Sequence, residues 1–186
     1  RLWNKIAKDK PLLIIGSPMC TDWSQMMNLN WSRMSETEVQ RRLRSAKRHL
    51  KFCIKVYQHK SSQNRYFVHE HPTSANSWRD PNMRKLMKAQ DSILAKADQC
   101  QYGLLVTDKF GQALAKKPTS FLTNSPCIAS QLRRRCEGVH SHPQKRHAVL
   151  FSGVAKQAQV YPPALCDAIC IGLKEQIECD RSGQFL

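Results

Sequence analysis

Apolar residues along this chain change their spacing several times, and each change marks an element. In "PLLIIG" (11–16) they are consecutive and bounded by Pro and Gly, the pattern of a buried parallel strand. Residues 21–34, polar and rich in Met, Asn and Trp, read as a loop over the strand end. From Ser35 the period becomes helical. Val39, Leu43, Ala46, Leu50, Cys53 and Tyr57 share one stripe, which predicts a long amphipathic helix over about 36–59. Ser35 and Glu38 form an S-x-x-E capping box at its start. "RYFVHEHP" (65–72) is a second strand, halted by Pro72. Strand, helix, strand is a βαβ unit with a right-handed crossover.

The flanking segments are shorter. Residues 1–10 read as the end of a helix, with Leu2, Trp3 and Ile6 on one side. A helix fits 82–90 and a strand fits "SILAKADQC" (92–100). "YGLLV" (102–106) is strand or loop, and "KFGQALAKKP" (109–118) is a polar connection. "TSFLTNS" (119–125) is a strand, "PCIASQLRRRC" (126–136) a short helix, and "EGVHSHPQKRH" (137–147) irregular. "YPPALCDAICIGLKEQIE" (161–178) closes the chain as a helix with Pro162 and Pro163 at its start. The pattern predicts an α/β fold in a single domain, 1–186, with a βαβ region at 11–90 and a C-terminal part at 91–186.

Charge narrows the class of partner. Thirty Lys+Arg stand against fourteen Asp+Glu, a net +16. That excess points to a polyanion, most often nucleic acid. Arg41, Arg44, Arg48 and Lys51 lie on the long helix, and Lys116, Lys117, Arg133, Arg134 and Arg135 form further basic groups. A solvated helix face is the competing explanation for any one cluster. No apolar run reaches the ~20 residues a membrane helix needs, so no membrane partner is expected. With Arg1 first and no signal peptide, the sequence reads as a piece of a longer, intracellular protein, nuclear if eukaryotic.

Eight cysteines without dense spacing indicate a reducing compartment, with Cys53, Cys166 and Cys170 packed as small hydrophobes. Cys127, Cys136, His140 and His142 give C-x8-C-x3-H-x-H, with His147 as a spare. They are a candidate zinc set, weighed against scattered packing roles. Cys20 follows the first strand directly, and Glu70 lies at the end of the second, between His69 and His71. Ligands of open α/β sheets bind beyond the carboxyl ends of the strands, so the thiol and the carboxyl face one crevice. His69 and His71 alternate to the opposite face.

"IIGSPMCTDWS" resembles the strand and catalytic loop of DNA (cytosine-5)-methyltransferases, and "FVHEHP" resembles their next signature, a strand ending in Glu. "DQCQYG", "AKKPTSFLTN", "RRRCEGVHSH" and "VYPPALCDAI" are similar, in order, to reduced forms of that family found in phages and some eukaryotic retroelements. The resemblance covers residues 11 to about 175. It implies a Rossmann-like class I methyltransferase sheet with helices on both faces. It further implies Cys20 as the nucleophile at C6 of an extruded cytosine, Glu70 as the grip on its ring edge, and S-adenosylmethionine as methyl donor. Gly16, Ser17 and Pro18 would touch that donor. The loop reads Pro-Met-Cys where the family has Pro-Pro-Cys, and His-Pro follows Glu70 where Asn-Val is usual. The family's acidic, glycine-rich cofactor turn is absent, and no G-x-G occurs. The resemblance therefore implies a catalytic fragment whose N-terminal, cofactor-binding strands are missing and which is inactive alone. DNA is the expected partner, with RNA kept open. The alternatives are a degenerate, non-enzymatic nucleic-acid-binding module, zinc-stabilised or not, and a thiol hydrolase pairing Cys20 with His69 or His71.

Overall fold

A computed structural model describes residues 1–151 and 153–183. The elements in chain order are α1 (Leu2–Asp9), β1 (Leu13–Gly16), α2 (Gln25–Trp31), α3 (Glu36–Ser61), β2 (Tyr66–Pro72), α4 (Pro81–Met87), β3 (Ile93–Asp98), β4 (Leu105–Asp108), β5 (Gly111–Leu114), β6 (Pro118–Thr123), α5 (Pro126–Gln131), α6 (Gly153–Gln157) and α7 (Pro163–Ser182). The class is α/β.

The sheet order is β1-β2-β6-β3. β1 and β2 are parallel, Leu13 opposite Tyr66 and Gly16 opposite His69. β6 inserts antiparallel between β2 and β3, so the sheet is mixed. Alternation along the strands divides the core in two. Phe67, Leu122, Ile14 and Leu94 meet Leu50, Cys53, Ile54 and Tyr57 of α3 and Met83 and Leu86 of α4. Val68, Ala95, Ala97 and Phe121 meet Ile128, Ala129 and Leu132, and Leu165, Ala168 and Ile169 of α7. Helices thus cover both faces.

α3 begins where its pattern requires: the Ser35 hydroxyl accepts from the Glu38 N–H at 3.3 Å. The reciprocal half of the capping box is replaced, because the Glu38 carboxylate pairs with Arg41 at 2.7 Å. The far end of α3 is tied to the sheet by Lys60, whose buried Nζ donates to the Pro11 carbonyl at 2.9 Å. α7 lies close on α5 because residue 172 is glycine. A Cβ there would stand 2.6 Å from the Ile128 Cα.

Some expectations need correction. Residues 21–34 hold a 3₁₀ turn (Thr21–Trp23) and then α2, capped by Ser24, whose Oγ accepts from the Met27 N–H. The segment after Lys109 is the second strand of a β4–β5 hairpin rather than a connection, with a turn at Gly111, φ +93°. β1 is covered less than a central strand, since it is a sheet edge and Ile15 is 47 % exposed. Cys166 and Cys170 are exposed, because α7 buries the stripe of Leu165, Ala168, Ile169, Gly172 and Gln176 instead.

Candidate active site

Parallel pairing of β1 with β2 sends both chains out of the sheet at the same end. Gly16 is opposite His69, so the loop carrying Cys20 passes over the strand end where Glu70 sits. Glu70 shares a face with Val68 and is buried against the α7 side, where Tyr161 comes in. Cys20 is half-buried. Burial pushes its thiol above the ordinary cysteine value, the Glu70 carboxylate adds to the rise, and Lys117 opposes it.

Burial also raises the Glu70 carboxyl, against the Lys117 ammonium and the hydroxyls of Ser17 and Tyr161, which favour its charged form. Lys117 Nζ stands 3.9 Å from Glu70 Oε1. The same ammonium donates to the Ala158 carbonyl at 2.9 Å, which fixes its position. Residue 117 adopts φ +30°, an unusual backbone for a non-glycine that turns the chain into β6. Ser17 and Tyr161 hydrogen-bond one another across 144 residues of sequence. Glu70 Oε1 is buried without a hydrogen-bond partner among the described residues. Such an atom costs free energy unless a ligand supplies a donor.

The Cys loop is held from below by the other strand face. His71 Nε2 lies 2.9 Å from the Pro18 carbonyl and Nδ1 meets the Ser77 hydroxyl. Burial holds the His71 imidazole down to about 4, so it is neutral and its Nε2–H donates to Pro18. His69 is buried beside it, 3.0 Å from the Tyr57 hydroxyl, and burial lowers it too. Both histidines therefore lie on the face opposite Glu70. Gly16 permits the tight passage: a Cβ there would lie 1.9 Å from the Tyr57 hydroxyl. His71 is a positioning residue the sequence left as merely structural; its place one residue after Glu70 was the available signal.

The basic residues divide. Arg41, Arg44, Arg48 and Lys51 are exposed and fall within an arc of about 80° on α3, opposite its core face. Lys117 belongs to the Glu70 site. Arg134 lies over the Tyr102 ring at 5.0 Å and Arg135 pairs with Asp98 at 3.1 Å, while Arg133 is exposed and Lys116 partly buried.

A second constellation lies beyond β3. Cys100, Cys136, His142 and His147 bring one ligand atom each to within 4.8 Å of all the others, a cluster that could hold a metal ion. This corrects the set expected from spacing. Cys127 sits on α5 with its sulfur 3.9 Å from Cys179, and His140 is exposed. Cys100 takes the place of one and His147 of the other. Cys100 was missed because 35 residues separate it from Cys136, and only the packing of β3 beside β6 brings the two together.

Comparison with protein-family models, with curated proteins and with solved structures returns no significant match for this chain.

Proposed function

We propose that this chain is the cytosine-activating part of a DNA cytosine-5 methyltransferase built on a Rossmann-like sheet. The observation that carries the reading is that Cys20 and buried Glu70 lie at the same end of two parallel strands, with Glu70 Oε1 lacking a hydrogen-bond partner among the described residues. The edge of an extruded cytosine offers a donor, its 4-amino group, beside an acceptor, N3. A protonated carboxyl presents the complementary pair: one oxygen accepts and the other donates. Burial raises the Glu70 carboxyl toward that protonated form, and the carboxylate takes up its proton from solvent as the base binds.

The chemistry then balances. Cys20 loses its proton to solvent as its sulfur adds to C6, and Glu70 gives its proton to N3. The electron pair displaced from the 5,6 double bond makes C5 nucleophilic. Lys117 offsets the carboxylate that this transfer leaves. A thiol suits the step because it both attacks and leaves. His69 and His71 lie on the other sheet face and His71 is committed to Pro18, which argues against a Cys-His hydrolase.

S-adenosylmethionine is the methyl donor the family resemblance implies, but Gly16, Ser17 and Pro18 do not form a site for it. Gly16 abuts Tyr57, Ser17 is engaged by Tyr161 and the Pro18 carbonyl by His71. No acidic, glycine-rich turn accompanies them.

The test therefore needs no donor. Pyrimidin-2-one, placed in DNA as a mismatched base, lacks the 4-amino group and is more open to addition at C6. Intact-mass measurement should find a covalent adduct with the native chain, none with Cys20→Ser, and an undiminished one with Cys166→Ser. Equal yield from Cys20→Ser would overturn the assignment. A second reading, a nucleic-acid-binding module without catalysis, is favoured by the +16 charge alone and predicts DNA binding with no adduct.

A further inference from the structure

We infer that Cys100, Cys136, His142 and His147 bind one structural zinc ion. The ligand chemistry selects the metal. Two thiolates and two imidazoles in a tetrahedron suit zinc, with Zn–S about 2.3 Å and Zn–N about 2.0–2.1 Å, so that neighbouring ligand atoms stand roughly 3.3–3.8 Å apart. Cys136 Sγ is 3.3 Å from His142 Nε2 and 3.5 Å from His147 Nε2. The widest pair in the set is within 4.8 Å, so a contraction of about 1 Å closes the shell.

The surroundings of the cluster hold its ligands in place. Asp98, fully buried at the end of β3, receives the Cys136 backbone N–H at 2.9 Å and Arg135 at 3.1 Å through Oδ2. Its Oδ1 is buried without a hydrogen-bond partner among the described residues. Arg135 pairs with that carboxylate, and zinc held by two thiolates and two imidazoles is neutral overall, so the ion adds no uncompensated charge beside Asp98. Asp98 also supports the first coordination sphere from behind by fixing the Cys136 backbone. All four ligand atoms belong to segments that the fold already brings together. Cys100 follows β3, Cys136 follows α5, and the loop bearing His142 and His147 runs into Ala148, whose N–H reaches the Leu114 carbonyl of β5 at 2.9 Å. The ion pins an irregular loop to the sheet and to the hairpin.

The 186-residue chain, purified under reducing conditions without chelator, should carry one zinc ion per molecule by elemental analysis. Stripped and reloaded with cobalt(II), it should show the intense visible bands of tetrahedral cobalt and a thiolate charge-transfer band. Cys136→Ser and His147→Ala should lose the metal, and Cys127→Ser and His140→Ala should keep it. If Cys136→Ser does not fold, the native chain still decides: zinc should shield two thiols from a thiol reagent until chelator is added. A native chain that is metal-free and takes up cobalt without a thiolate band would overturn the site. So would loss of zinc in Cys127→Ser.

Discussion

Burial and two charges set the chemistry of one thiol. Burial and the Glu70 carboxylate both hold Cys20 in its neutral form at rest, and Lys117 only partly offsets them. The sign of the pH effect follows. A thiol raised above its ordinary value near 9 carries less thiolate at pH 8 than a free cysteine, and its alkylation rate climbs with pH through an inflection above that value. Glu70→Gln removes the second cause of the rise while keeping the shape. It should lower the inflection and speed iodoacetamide labelling of Cys20 at pH 8 several-fold, read by peptide mass spectrometry. Unchanged labelling would mean that the two groups do not interact. Cys20 and Glu70 were legible in the sequence because each follows an apolar run by a fixed few residues, and parallel pairing turns that spacing into proximity. Lys117 was legible only as a basic residue. Its part in the site depends on β6 lying beside β2, and no local pattern encodes that neighbour. The metal ligands show the same limit from the other side: the spacing reading found Cys136 and His142 within one segment but took Cys127 for Cys100.

At the scale of elements, strong periodicity survived and weak periodicity did not. α3, 26 residues long, was read almost to its ends because Ser35 caps it and six apolar positions from Val39 to Tyr57 hold one stripe. α2 went unread because it is seven residues long and only Met27 is buried, so its sequence looks like a polar loop. β5 is four residues with Ala113 as its single buried member, and Gln112 and Gly111 disguise it. The α5–α7 contact rests on a residue with no side chain at all. Gly172→Ala removes a helix-destabilising glycine, a gain of about 1 kcal/mol, but pushes a methyl group into the Ile128 backbone. Overpacking against a backbone that cannot rotate away costs on the order of 1–3 kcal/mol. The variant should therefore unfold at lower urea than the native chain, despite its better helix propensity. A higher midpoint would show that α7 can slide on α5 without loss.

Across the whole molecule, the sheet order and the charge act together. The strands themselves were readable, but β6 entering antiparallel between β2 and β3 is a non-local choice that no run of residues announces. That order leaves the Cys20–Glu70 pair near one edge of the sheet, since among the described residues β1 has a partner on one side only. α3 connects the parallel strands, so it runs back along the sheet and its N-terminal turn stands at the same end as the Cys loop. Arg42, in the next turn, pairs with Asp22 just after Cys20, at 2.6 Å. The exposed stripe of Arg41, Arg44, Arg48 and Lys51 begins at this rim and extends along the outer face, where a backbone leading away from an extruded base would pass. Polyanion affinity of this kind is salt-dependent, because each neutralised phosphate releases counterions. If about six phosphates of duplex DNA are contacted, log affinity should fall with log salt at a slope of about −5. Replacing the four stripe residues together with Gln should flatten the slope to about −2, since each lost contact removes about 0.9. Fluorescence anisotropy over a salt series measures both values. A slope unmoved by the fourfold replacement would make the stripe a solvated helix face and shift the DNA to Lys116 and Arg133.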